Sequence, residues 1–179
     1  MRAVSFLICF SIFATTAGAW SEWRHKYDED KAIGGERDYI IRIFDFYGQL
    51  RQNFDASGYA ARSRDLLEDY STAILIPACA SCAKLLSRGH DTDLMAAYFR
   101  LLQFTQNSAS ESFGWHLGTI FVANPTLVED VFRQLTPEQK CIGFAELSRG
   151  FANVTYDKKA TPATKRLEER LTRLKPPCK

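Results

Sequence analysis

Prolines set directly behind or beside capping residues divide the second half of this chain, and that punctuation limits its fold more than any other feature. In Thr136-Pro137-Glu138-Gln139 a hydroxyl comes first, proline stands at the first helical position and glutamine at the third. The hydroxyl accepts an orphan amide, proline has no amide to orphan, and the glutamine reaches back to the cap. Thr126 and Glu129 repeat the box with Pro125 just outside it, and Thr161-Pro162 starts a last helix. Asp91 or Thr92 can cap a helix through Leu94 and Leu101, and Gly89 is placed to end the one before it.

The apolar spacing agrees with this division. Ile40, Ile43, Phe44, Tyr47 and Phe54 follow the three-and-four rule of a helix face, as do Tyr59, Leu66, Leu67, Tyr70 and Ile74. Three further stripes follow: Leu94, Tyr98, Leu101, Leu102 and Thr105; Phe113, Leu117, Ile120 and Phe121; and Val128, Val131, Phe132 and Leu135. The stripes around Tyr98–Phe104 and Trp115–Phe121 are wide, which predicts central helices covered on two faces. Short links, Asn124-Pro125-Thr126 and then Thr136 alone, fold consecutive helices back on each other. The expected fold is all-α, a compact multi-helix bundle or a short helical-solenoid-like array of about seven helices. No repeat of constant period is present, so the bundle comes first. Strand readings exist for 39–46 and 72–76, but no Asn-Gly or Asp-Gly hairpin turn accompanies them.

The N-terminus reads as a secretory signal. Arg2 is a minimal charged region, residues 3–14 are apolar and uncharged, and Ala17-Gly18-Ala19 supplies small residues for cleavage after Ala19. A membrane anchor fits less well, because spanning takes roughly 20 apolar residues and Ser21-Glu22 arrives too soon. The expected organisation is a signal peptide over 1–19, a polar leader over 20–36, and one helical domain over 37–179. That domain ends in a basic helix and tail: residues 157–179 hold eight basic and three acidic side chains. The mature chain is expected to be secreted or periplasmic, with no integral membrane segment.

Export gives the cysteines their meaning. Cys9 leaves with the signal, and Cys79, Cys82, Cys141 and Cys178 remain as disulfide candidates. Three pairings are possible. Cys141–Cys178 with Cys79–Cys82 is the first to try, since a bridge at Cys178 ties down a tail that would fray. Cys79-Ala80-Ser81-Cys82 also has the spacing of a redox dithiol on the first turn of a helix, with Ala73-Ile74-Leu75-Ile76 as a feeding strand. Ala78 stands where a thioredoxin-like fold has an aromatic residue, and the segments between Cys82 and Pro125 read as helices where that fold needs a strand. A structural role for the pair is therefore the expectation.

No other chemistry stands out. His25, His90 and His116 lie far apart, and His90-Asp91-Thr92-Asp93 is explained by capping rather than metal binding. His116, between Trp115 and Leu117, reads as a half-buried histidine held by a hydrogen bond. Glu68-Asp69 and Glu168-Glu169 read as solvated faces, because adjacent helical residues diverge. Asn153-Val154-Thr155 matches a glycosylation sequon. Neither a nucleophile elbow, a zinc-binding His-Glu-x-x-His nor a phosphate loop occurs. Apolar residues make up 46% of the chain, enough for a core, and a net charge of +2 is too small for a general nucleic-acid binder. The expected function is non-enzymatic: an exported helical protein that binds a protein partner, as an inhibitor or immunity-type protein does. No catalytic residue, metal or cofactor is assigned. A thiol–disulfide protein using Cys79 and Cys82, or a hydrolase with a dispersed site, is the alternative.

Overall fold

The computed structural model describes residues 35–57, 67–105, 111–156 and 161–178. Among them are seven α-helices and no strand: α1 (Glu36–Ser57), α2 (Ile76–Leu86), α3 (Thr92–Thr105), α4 (Ser112–Ala123), α5 (Pro125–Gln134), α6 (Pro137–Thr155) and α7 (Pro162–Leu174). The expected signal peptide and most of the expected leader lie outside the described residues, as do Cys9, His25, Tyr59 and Leu66. Among the described residues no helix is long and apolar enough to cross a membrane.

Contacts run mainly between every second helix. α1 packs on α3, α3 on α5 and α5 on α7, while α2 packs on α4 and α4 on α6. The chain thus lays its odd helices in one row and its even helices in another. This is the expected all-α fold, a compact arrangement of helices in which α1 also packs on α2 and α4 on α5. One core cluster runs through α1 to α6 and reaches Leu174 at the end of α7. α3 lies at its centre. Leu94, Met95, Ala97, Tyr98, Phe99, Leu101 and Leu102 are all buried, because α1, α2, α5 and α6 close around it. A helix apolar on nearly every side can only be stable when covered that way.

The helix ends follow from local chemistry, with two departures from expectation. Thr136 and Gln139 form the full capping box: the Gln139 amide donates to Thr136 Oγ1 at 3.3 Å, and the Thr136 amide donates to Gln139 Oε1 at 3.0 Å. Thr136→Ala should lower stability by about 1 kcal/mol, read as a lower denaturant midpoint at unchanged slope. Thr161 caps α7 through the Thr164 amide, and Asp91 caps α3 through the Leu94 amide. The box expected at Thr126 is not formed. Asn124 is the cap of α5, accepting from the Leu127 amide at 3.4 Å, and Pro125 takes the first helical position. Proline's fixed φ suits the first turn, so the residue before it becomes the cap.

The second departure is at 71–76. The run read as a possible feeding strand is helical. Residues 67–70 are helical, Ser71–Leu75 form a π-turn, and α2 continues from Ile76. Ile76 closes the wide turn by donating to the Ser71 carbonyl. Pro77 lies in the first turn of α2 and contributes no amide, so a widened turn just before it leaves one fewer bond to lose. Ile74 and Leu75 are buried there, while Thr72 and Ala73 face out.

Candidate binding surface, buried thiols and the C-terminal clamp

Backbone contact between α4 and α6 fixes the geometry of the surface. Gly114, Gly118 and Gly150 meet with no side chain between them. A Cβ built on Gly150 would lie 1.7 Å from the Gly114 carbonyl oxygen, and one on Gly118 would lie 2.3 Å from the Gly150 carbonyl carbon. The spacing Gly114-x-x-x-Gly118 leaves one face of α4 bare, which lets a second helix approach closely. Glu146 is buried beside the crossing and ion-pairs with Arg149 at 3.1 Å.

Large apolar side chains remain exposed on α4 and just past the end of α6. Among the described residues these are Trp115, 46% exposed, and Tyr156, 87% exposed. Trp115 shares a shallow depression with Glu111, Ser112 and Asn153. Tyr156 follows Asn153 by three residues, one turn on. The wide stripe expected to be covered on two faces is therefore open at Trp115: Phe113, Leu117 and Phe121 take the inner side and leave the indole outside. His116 is half-buried and stacks on the Trp115 ring, with centroids 6.4 Å apart and planes 9° apart. Burial lowers its pKa from the ordinary histidine value, because it disfavours the charged imidazolium. Asn153 of the sequon is exposed in the last turns of α6.

The cysteines divide into two kinds. Cys141 and Cys178 form a disulfide, with Cα atoms 5.7 Å apart. Cys79 and Cys82, the other half of the first expected pairing, are free thiols buried in the core. The helix explains this. Side chains three residues apart on an intact turn have Cβ atoms about 5–6 Å apart, whereas a disulfide needs roughly 3.5–4.5 Å. Nor do the thiols occupy the first turn of a free helix, since helical structure extends back to residue 67. The Cys79 thiol interacts with the Tyr98 hydroxyl, which donates to the Phe113 carbonyl at 2.8 Å. Burial pushes both thiols up from the ordinary cysteine pKa, the opposite of what an attacking thiolate needs. In the native protein neither should be alkylated by iodoacetamide at neutral pH, and both should be alkylated in denaturant. Rapid native labelling at Cys79 would contradict their placement.

The C-terminal helix is held from outside. Arg170 of α7 donates to Glu129 Oε1 at 2.6 Å and to Thr126 Oγ1 at 3.1 Å. Thr126 and Glu129, expected to cap α5, instead form the receptor for this guanidinium. Leu174 is buried, and Leu167 and Leu171 pack on the edge of the core. At the other end of the molecule Arg37 binds Asp91 at 2.5 Å and Asp93 at 3.3 Å, tying the start of α1 to the cap of α3. This accounts for the acidic run after His90 and draws the Asp91 pKa down. Glu68, Glu168 and Glu169 are exposed and Asp69 is half-buried. Among the described residues no three His, Cys, Asp or Glu side chains converge as a metal site. Compared with known proteins, the chain matches no family model, no curated protein and no solved structure.

Proposed function

We propose that this chain is an exported, non-enzymatic helical binding protein that acts on a partner protein, in the manner of an inhibitor or immunity protein. The observation that carries the reading is the pair of exposed aromatics, Trp115 and Tyr156, at the end of two helices locked together through their backbones. Aromatic side chains bury large area at little entropic cost, and tryptophan and tyrosine dominate interface hot spots. A rigid base adds to this, because a surface that does not reorganise loses less on binding. Export is supported by the Cys141–Cys178 disulfide, a bond that persists in oxidising compartments. The thiol–disulfide alternative is disfavoured by the burial of Cys79 and Cys82.

The test compares tagged wild-type protein with Trp115→Ala/Tyr156→Ala for capture of a crosslinked partner from the exported fraction. The double truncation should cost at least about 2 kcal/mol of binding, roughly 30-fold in affinity. Thermal stability should fall only slightly, since Tyr156 lies largely in solvent and Trp115 is about half exposed. Equal capture by both proteins would overturn the assignment of this surface.

A further inference from the structure

We propose that α7 is a disulfide-locked strap, and that the α5–α6 face beneath it is an acceptor for an amphipathic helix of the partner. Three observations converge. First, α7 is the last member of the odd row and packs chiefly on α5 and α6. Its departure would uncover the parts of α5 and α6 on which it lies. Second, its inward pattern is specific: leucines at 167, 171 and 174 with Arg170 between them, the guanidinium reading Glu129 and Thr126. The rest of the helix is exposed or half-exposed, so little else holds it. Third, the lock is reachable. Cys178 is exposed and Cys141 half-buried, whereas Cys79 and Cys82 are sealed in the core. Exposed disulfides are the ones open to exchange.

The release step needs a dithiol reductant. One of its thiolates attacks Cys178 Sγ; the Cys141–Cys178 bond breaks, and Cys141 leaves as a thiolate that takes a proton. The reductant's second thiol then displaces Cys178 from the mixed disulfide. Two electrons and two protons have passed to the protein's sulfurs, and the reductant is left as its own disulfide. Freed at its end, α7 is held by Arg170 and three leucines alone. When α7 lifts, the uncovered face offers Glu129, Thr126 and the apolar edge to a helix with leucines at i, i+4 and i+7 and arginine at i+3. The acceptor half rests on the protein-binding reading above. The release half is measured without a partner, so the two can fail separately.

Hydrogen exchange on the full chain tests release, comparing the oxidised protein with protein reduced by dithiothreitol. Amides of α7 should exchange about tenfold faster or more on reduction, while α3, α4 and α6 keep their protection. Protection of α7 that survives reduction would overturn the lock. Protection lost throughout would overturn it too, showing a brace of the whole fold. A Cys178→Ser chain should match the reduced protein without added dithiol. For the acceptor, a fluorescent peptide of residues 161–177 should bind Cys178→Ser protein and not the oxidised wild type. It should fail against Cys178→Ser/Glu129→Lys. Equal binding to oxidised protein, or none to Cys178→Ser, would overturn the acceptor.

Discussion

Replacing Gly150 with alanine is expected to cost at least about 4 kcal/mol, placing it among the exceptional single substitutions, or to prevent folding. The added methyl would lie 1.7 Å from the Gly114 carbonyl oxygen, 2.4 Å from its carbon and 3.0 Å from the Gly118 amide nitrogen. All three obstacles are backbone, so no rotamer change relieves them, and α4 and α6 would have to separate along their crossing. Alanine gains about 1 kcal/mol over glycine in helix propensity, too little to offset that separation. Gly143→Ala is the control on the same helix. Its methyl would meet only the edge of the Phe99 ring, at 3.0 Å, and overpacking of that kind costs about 1–3 kcal/mol before the propensity gain is counted. Denaturant unfolding of both variants checks the difference. A Gly150→Ala midpoint close to wild type would show that the two backbones are not in contact.

Asn124→Ala is expected to be the next most costly change, at about 2–3 kcal/mol. One side chain serves two helices. Its oxygen caps α5 at the Leu127 amide, and its nitrogen donates to the Leu86 carbonyl at 3.2 Å and the Gly89 carbonyl at 2.8 Å, closing the end of α2. Alanine abandons all three bonds. Asn124→Ser should fall between the two, since serine restores the α5 cap but is too short to reach across to α2. Denaturant midpoints in the order Asn, Ser, Ala would support the double role. Equal midpoints for serine and wild type would mean that the bonds to α2 contribute nothing.

Local chemistry was legible in the sequence, and long-range pairing was not. The boxes at Thr136 and Thr161 and the cap at Asp91 involve groups three residues apart, so residue order alone fixes them. The described members of the helical stripes, such as Ile40, Leu94, Leu117 and Val128, fall in the core, as their spacing along one helix face requires. At Asn124-Pro125-Thr126 two residues of capping type compete, and proline's preference for the first turn decides for the asparagine. That freed Thr126 and Glu129 for Arg170, a partner 41 residues beyond Glu129 that no local pattern announces. Gly114-x-x-x-Gly118 is visible as a motif, but its counterpart Gly150 lies on a helix two elements later. The two-row arrangement leaves no sequence period, because the helices differ in length and the apolar positions do not recur at one spacing. Hydrophobic spacing also could not say which way Trp115 points. A wide stripe gives the number of apolar side chains on a helix, not which of them its neighbours leave uncovered.

The affinity ratio between wild-type protein and Trp115→Ala/Tyr156→Ala for the captured partner tests the binding surface. It should be measured by titration on the purified pair, alongside thermal unfolding of both proteins. The expected result is a loss of roughly 30-fold or more, as when at least one side chain is a hot spot, with the unfolding temperature little changed. An affinity within about twofold of wild type, less than half a kcal/mol, would contradict it and move the partner's contact elsewhere on the molecule.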